Sequence, residues 1–265
     1  MVDLPIYASK EKVKGKVQIK VEPGKKIEHT GIKVELIGQI EMYYDRGNST
    51  EFCSVVRELA VAGVLTETSN FDFDFVSNDK PYESYSGMNV RLRYFVRCTV
   101  SRNYSSNYVK EEPVLVQRPD MPPDASTPIK MEVGIEECLH IEFEYDKGRY
   151  HLNDIIIGKV YFLLVRIKIK HMELNVIRRE QAGSGQGQSN ESETLCKFEL
   201  MDGAPVRGEC IPIRLFLSNL DMTPTYRGVN NKFSVKYYLN LVLVDQEDRR
   251  YFKQQEIILW RKDIG

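Results

Sequence analysis

Val90-Arg91-Leu92-Arg93-Tyr94 alternates apolar and charged side chains without a break, and the apolar positions continue through Val96, Cys98 and Val100. Successive side chains of a strand point to opposite faces, so this stretch has one buried and one wet face. The same period of two recurs in Phe71-Asp72-Phe73-Asp74-Phe75, Ile141-Glu142-Phe143-Glu144-Tyr145 and Val165-Arg166-Ile167-Lys168-Ile169-Lys170, and at Ile211, Ile213, Leu215 and Leu217. Antiparallel sheets wet on one side read this way; parallel sheets covered on both sides do not. Turn residues separate the strands at Glu22-Pro23-Gly24, Asp45-Arg46-Gly47-Asn48, Asp146-Lys147-Gly148 and Met201-Asp202-Gly203. Many short strands with such breaks predict an all-β chain built of sandwiches.

One segment breaks the period. Phe52, Val55, Val56 and Leu59 fall at i, i+3, i+4 and i+7 behind Asn48, Ser49 and Thr50 as candidate caps. That spacing predicts a short amphipathic helix on a sheet of the first half. Residues 181–194 are glycine, serine, glutamine and glutamate with almost nothing to bury, and read as a mobile loop.

Arg118-Pro119-Asp120-Met121-Pro122-Pro123-Asp124-Ala125-Ser126-Thr127-Pro128 holds four of the 11 prolines and reads as a stiff, extended linker. The halves on either side resemble each other. Gly15-Lys16-Val17 followed by His29 recurs as Gly158-Lys159-Val160 followed by His171, with one residue's difference in spacing. The expected organisation is an amino-terminal sandwich over residues 1–120, a linker over 121–128 and a carboxyl-terminal sandwich over 129–265. Each half is long enough for its own core.

The 265 residues carry 37 basic and 38 acidic side chains, a net charge of −1. Nothing in that balance recommends nucleic acid or an anionic membrane as a direct partner. The five cysteines (Cys53, Cys98, Cys138, Cys196, Cys210) are odd in number and scattered, which predicts a reducing compartment. No signal peptide opens the chain, and the most apolar run, Ile155–Val165, falls short of the ~20 residues a spanning helix needs. A cytosolic protein is expected.

A search for chemistry returns none. His29, His140, His151 and His171 form no metal-binding pair, and the first and last occupy equivalent repeat positions, which favours a structural role. Gly183-Ser184-Gly185-Gln186-Gly187 lacks the lysine and following helix of a phosphate loop. Glu132, Glu136, Glu137, Glu142 and Glu144 are spread along wet strand faces rather than gathered in a calcium loop. Arg91, Arg93, Arg97 and Arg102 read as solvated strand residues around Phe95. No catalytic residue, metal or cofactor is expected. Leu200-Met201-Asp202-Gly203 places two large apolar residues beside a turn. They either fold back into the core or stand out as a docking anchor.

Pro81-Tyr82-Glu83-Ser84-Tyr85 with Asn89-Val90-Arg91-Leu92-Arg93-Tyr94-Phe95 resembles the arrestin-like small subunit of retromer, the vacuolar protein sorting 26 family. So do Ile129-Lys130-Met131-Glu132-Val133-Gly134-Ile135 with the stretch from Cys138 to Tyr145, and the closing run from Lys232 to Lys262. The resemblance implies an arrestin-like fold, two tandem immunoglobulin-like sandwiches joined by a short linker. It implies a non-enzymatic role in retrieving cargo from endosomes to the Golgi and plasma membrane. It further implies three partners: retromer's helical-solenoid subunit, a phox-homology sorting nexin, and the cytoplasmic tails of cargo. The family's apolar anchor for the solenoid matches Leu200 and Met201, and its cargo positions match Val133 and Phe252. Membrane contact is then indirect, by peripheral recruitment to endosomes.

The chain departs from the family in three places. Members carry further amino-terminal strands before the equivalent of Pro5-Ile6-Tyr7, and a polar tail after Trp-Arg-Lys. Ala8 and Pro119 replace the acidic and leucine residues that serve a PDZ-containing sorting nexin in animal members, so that partner is not expected. The alternatives are a free-standing arrestin-type adaptor, or the small subunit of a related sorting complex, and a sandwich hydrolase. The closing run speaks against the first pair, and the missing His, Asp and Ser or Cys set against the hydrolase.

Overall fold

The computed structural model describes residues 4–44, 49–75, 80–120, 127–135, 137–183 and 187–262. Contacts divide the chain into two compact units, Met1–Arg118 and Pro119–Gly265. Both are β-sandwiches, and the fold is all-β and arrestin-like. The expected linker over 121–128 lies, up to residue 126, outside the described residues.

The first unit holds β1 (Ile6–Ala8), β2 (Val13–Ile19), β3 (Ile27–Met42), β4 (Ser49–Leu65), β5 (Ser69–Phe75), β6 (Tyr85–Ser86), β7 (Val90–Ser101) and β8 (Tyr108–Gln117). One sheet runs β1-β8-β7-β3-β4 with β6 beside β7; the other, among the described residues, is β2 and β5. Val34, Leu36, Leu92 and Tyr94 fill the core from alternate positions of β3 and β7, as the period of two requires. On the other face of β7, Arg93 and Arg97 flank the buried Phe95 ring, their guanidiniums 4.3 and 5.2 Å from its centre. Glu41 and Glu111 pair with these arginines at 2.7 to 3.6 Å, so they form a neutralised ladder rather than a free basic strip.

The second unit holds β9 (Ile129–Ile135), β10 (Leu139–Tyr145), β11 (Arg149–His151), β12 (Ile155–Val165), β13 (Ile169–Ala182), β14 (Ser189–Asp202), β15 (Cys210–Phe216), a 3-10 turn at Leu217–Asn219, β16 (Tyr226–Val229), β17 (Phe233–Asp245) and β18 (Arg250–Trp260). Its sheets run β15-β12-β10-β9 and β11-β18-β17-β13-β14, with β16 beside β17. Ile141, Phe143, Val160 and Phe162 meet Leu174, Val176, Leu239 and Leu241 between them, all 0 or 1% exposed. Full burial of such side chains contributes ~1.5–3 kcal/mol each. The recurrence of Gly-Lys-Val and His is structural: Gly15 and Gly158 lie on β2 and β12, and His29 and His171 on β3 and β13.

Three expectations fail. The helix around Phe52, Val55, Val56 and Leu59 does not form; the segment is part of β4. The register with β3 skips Phe52 and Leu59, which are the extra residues of two β-bulges. Each bulge shifts the alternation by one, and two shifts produce a spacing that imitates a helix. Phe52 packs edge-on to Tyr94 at 5.5 Å, while Val56 points out at 53% exposure.

The loop expected over residues 181–194 is largely hairpin. Glu180, Gln181 and Ala182 pair with Glu191, Asn190 and Ser189, and only residues 184–186 lie outside the described set. β14 is an edge strand, which needs backbone partners on one side only and no apolar residues on its wet face. The alternation from Val165 to Lys170 is not one strand either. It runs through a bend at residues 166–168, where the chain leaves one sheet for the other.

Candidate functional site

Among the described residues, two neighbouring strand edges of the second unit are open. β9 is the last strand of its sheet: it pairs with β10, and among the described residues nothing pairs with its outer edge. β18 pairs with β17 from Arg250 to Ile257, and among the described residues β11 covers its other edge only at Ile258, Leu259 and Trp260, so residues 250–256 are open on that side. β9 and β18 touch each other across the flank of the sandwich.

Val133 stands on β9 opposite Ile141, on the face that carries the core, and is half-buried. Met131, opposite Phe143, is half-buried on the same face. Phe252 stands on β18 opposite Val242 and is 61% exposed. The two expected cargo residues therefore lie on neighbouring open edges, one looking between the sheets and the other away from them. The hairpin tip beside Phe252 is fixed by Asp245, whose oxygens accept from the amides of Glu247 and Arg249, from Nε of Arg249 and from the hydroxyl of Tyr251, all at 2.8 to 2.9 Å. Burial pushes the Asp245 carboxyl up, but these donors prevail and hold it at about 2.

Leu200 and Met201 are not at an exposed loop tip. They close strand β14 and are half-buried. Met201 pairs with Met172 and Glu199 with Glu173, so Leu200 is the extra residue of a bulge. A bulge re-aims side chains at a sheet edge. Phe198, 38% exposed and opposite the core residue Leu174, adds a third apolar residue to this open edge. The reading of a turn at Met201 missed it, although its alternation with Lys197 and Glu199 was visible.

The first unit has an open edge of its own. Among the described residues β2 pairs with β5 alone, and beside it runs a groove of about 720 Å³ lined by Val17, Ile19, Val96, Cys98, Val100 and Val114. In the second unit β10 and β9 occupy the corresponding place next to β12.

The histidines stay apart in role. His29 is buried, His140 lies 3.4 Å from Glu132, and His151 packs on Trp260 with burial pushing its pKa down. Among the described residues no helix is long and apolar enough to cross a membrane.

The family model for vacuolar protein sorting-associated protein 26 matches residues 1–248. The chain belongs to the vacuolar protein sorting-associated protein 26 family. It is 64% identical to vacuolar protein sorting-associated protein 26 of Dictyostelium discoideum, over 98% of this chain and 74% of that protein. It is 59% identical to the 26B protein of Danio rerio, over 97% of this chain and 78% of that protein, and 58% identical to human 26B, over 97% and 76%. Identity at this level goes with the tandem sandwich architecture.

Proposed function

We propose that this chain is a non-enzymatic subunit of the retromer cargo-recognition core. One edge of its second sandwich binds the helical-solenoid subunit, and another helps capture cargo tails for retrieval from endosomes to the Golgi and plasma membrane. The observation that carries the reading is the unpaired edge of β9 beside the exposed Phe252 of β18. An open edge offers a row of backbone donors and acceptors to an extended peptide, while neighbouring side chains select its sequence. Membership of a family whose members are named for vacuolar protein sorting supports the same assignment.

Leu200 and Met201 supply the anchor for the solenoid. The tail adds a strand along residues 130–135 and places an apolar side chain toward Val133, with Phe252 exposed on the neighbouring edge of β18. A phox-homology sorting nexin completes that site, and a small shared interface leaves this chain alone a weak cargo binder. The chain works from the cytosol and reaches the endosomal membrane through its partners.

Calorimetry against the solenoid subunit tests the assignment. The double variant Leu200→Ser, Met201→Ser loses ~2 kcal/mol or more per anchor and still unfolds cooperatively. Undiminished affinity overturns the reading, as does lost binding accompanied by a collapsed melting temperature.

A further inference from the structure

Glu132 and Glu142 stand directly opposite each other on β9 and β10, on the wet face of the sheet. Like charges in directly opposed cross-strand positions repel. The neighbouring cation does not relieve them: Lys130 faces Glu144 instead, 3.7 Å away. The imidazole of His140 lies 3.4 Å from Glu132, and the Glu132 side chain remains 75% exposed. The carboxylate is thus held at an open strand edge, on the side away from the core, with an unfavourable neighbour behind it.

A strand added to β9 would place one residue opposite Glu132, and parity puts its side chain on the same wet face. The residues before and after it would fall opposite Met131 and Val133, on the inner face, where both side chains are only half-buried. This holds whether the added strand runs parallel or antiparallel to β9, because Glu132 sits midway between the two apolar positions.

We infer that the open edge of β9 selects extended cytoplasmic tails of the pattern apolar–basic–apolar, with a lysine or arginine opposite Glu132. The inference rests on the cargo reading above and specifies the residue between its anchors. The apolar pair supplies contact with Met131 and Val133. The basic residue supplies a permanent counter-charge, where β10 offers only the imidazole of His140. An acidic residue at the same place would meet two carboxylates.

The test uses the full chain assembled with the solenoid subunit and the sorting nexin, and three synthetic fluorescent heptapeptides with Leu-X-Leu at the centre, where X is Lys, Gln or Glu. Amide hydrogen exchange reports whether residues 130–135 become protected, and fluorescence polarisation ranks the affinities. The expected order is Lys above Gln above Glu, with about three- to tenfold between the extremes at low salt. The difference should shrink when ~1 M salt shortens the screening length. In Glu132→Lys, an exposed and conservative position for folding, the order reverses. Protection with equal affinities for all three peptides overturns the charge selection while leaving the docked strand intact. Absence of protection with every peptide overturns the β9 docking site, and this inference with it.

Discussion

The hydroxyl of Tyr251 donates to Oδ2 of Asp245 at 2.9 Å, across the tip of the hairpin that carries Phe252. With the other donors from Glu247 and Arg249, this bond holds the Asp245 carboxyl at about 2, against an ordinary value of 3.8. A folded-state value below the unfolded one stabilises the fold fully above pH ~4 and is lost as the pH falls toward 2. Asp248, with φ at 59°, completes the tight turn that the carboxylate braces. Asp245→Asn should lower the melting temperature at neutral pH and flatten the stability profile between pH 4 and 2. Parallel acid profiles for the variant and the parent protein would show that Asp245 is not the group responsible.

Gly158 and Gly15 fill matching places in the two sandwiches but differ in what surrounds them. A Cβ on Gly158 would lie 2.3 Å from the carbonyl oxygen of Glu144, a backbone atom that cannot step aside. On Gly15 it would meet the Phe73 ring at 2.8 Å, beside the open groove. Gly158→Ala should therefore cost at least the ~1–3 kcal/mol of an overpacked core, and Gly15→Ala distinctly less. Urea denaturation of both variants checks the order.

Val96 on β7 and Val235 on β17 offer the same side chain on corresponding strands, the first half-buried and the second 0% exposed. Val235→Ala should cost ~1.5–3 kcal/mol, and Val96→Ala below ~1 kcal/mol, because truncation matters where contacts are complete. Equal costs in chemical denaturation would mean that the groove beside β2 is covered in solution.

Phe252→Ser should leave the melting temperature unchanged, since an exposed ring contributes little to the core. In the assembled complex it should abolish cargo recruitment while solenoid binding persists. Pull-down with a cargo tail reads the first effect and calorimetry the second. Normal cargo capture by the variant would move the tail site elsewhere on the surface.

The sequence by itself determined the architecture, because strand alternation is local: each of Val90, Leu92 and Tyr94 declares its face through its neighbours two residues away. The doubled Gly-Lys-Val and His pattern declared two related sandwiches for the same reason, and the family resemblance extended that reading to the fold as a whole. Tertiary structure alone decided where alternation fails. Phe52, Leu59 and Leu200 are bulge residues, and a bulge exists only relative to the strand opposite, which lies far away in sequence. Polar residues 189–194 became strand because β13 was there to pair with, not because their side chains had anything to bury. The opposed carboxylates of Glu132 and Glu142 were equally invisible in the sequence. Which strands pair, which edge goes without a partner, and which charges face each other are set by register between distant segments, and register is a property of the folded sheet.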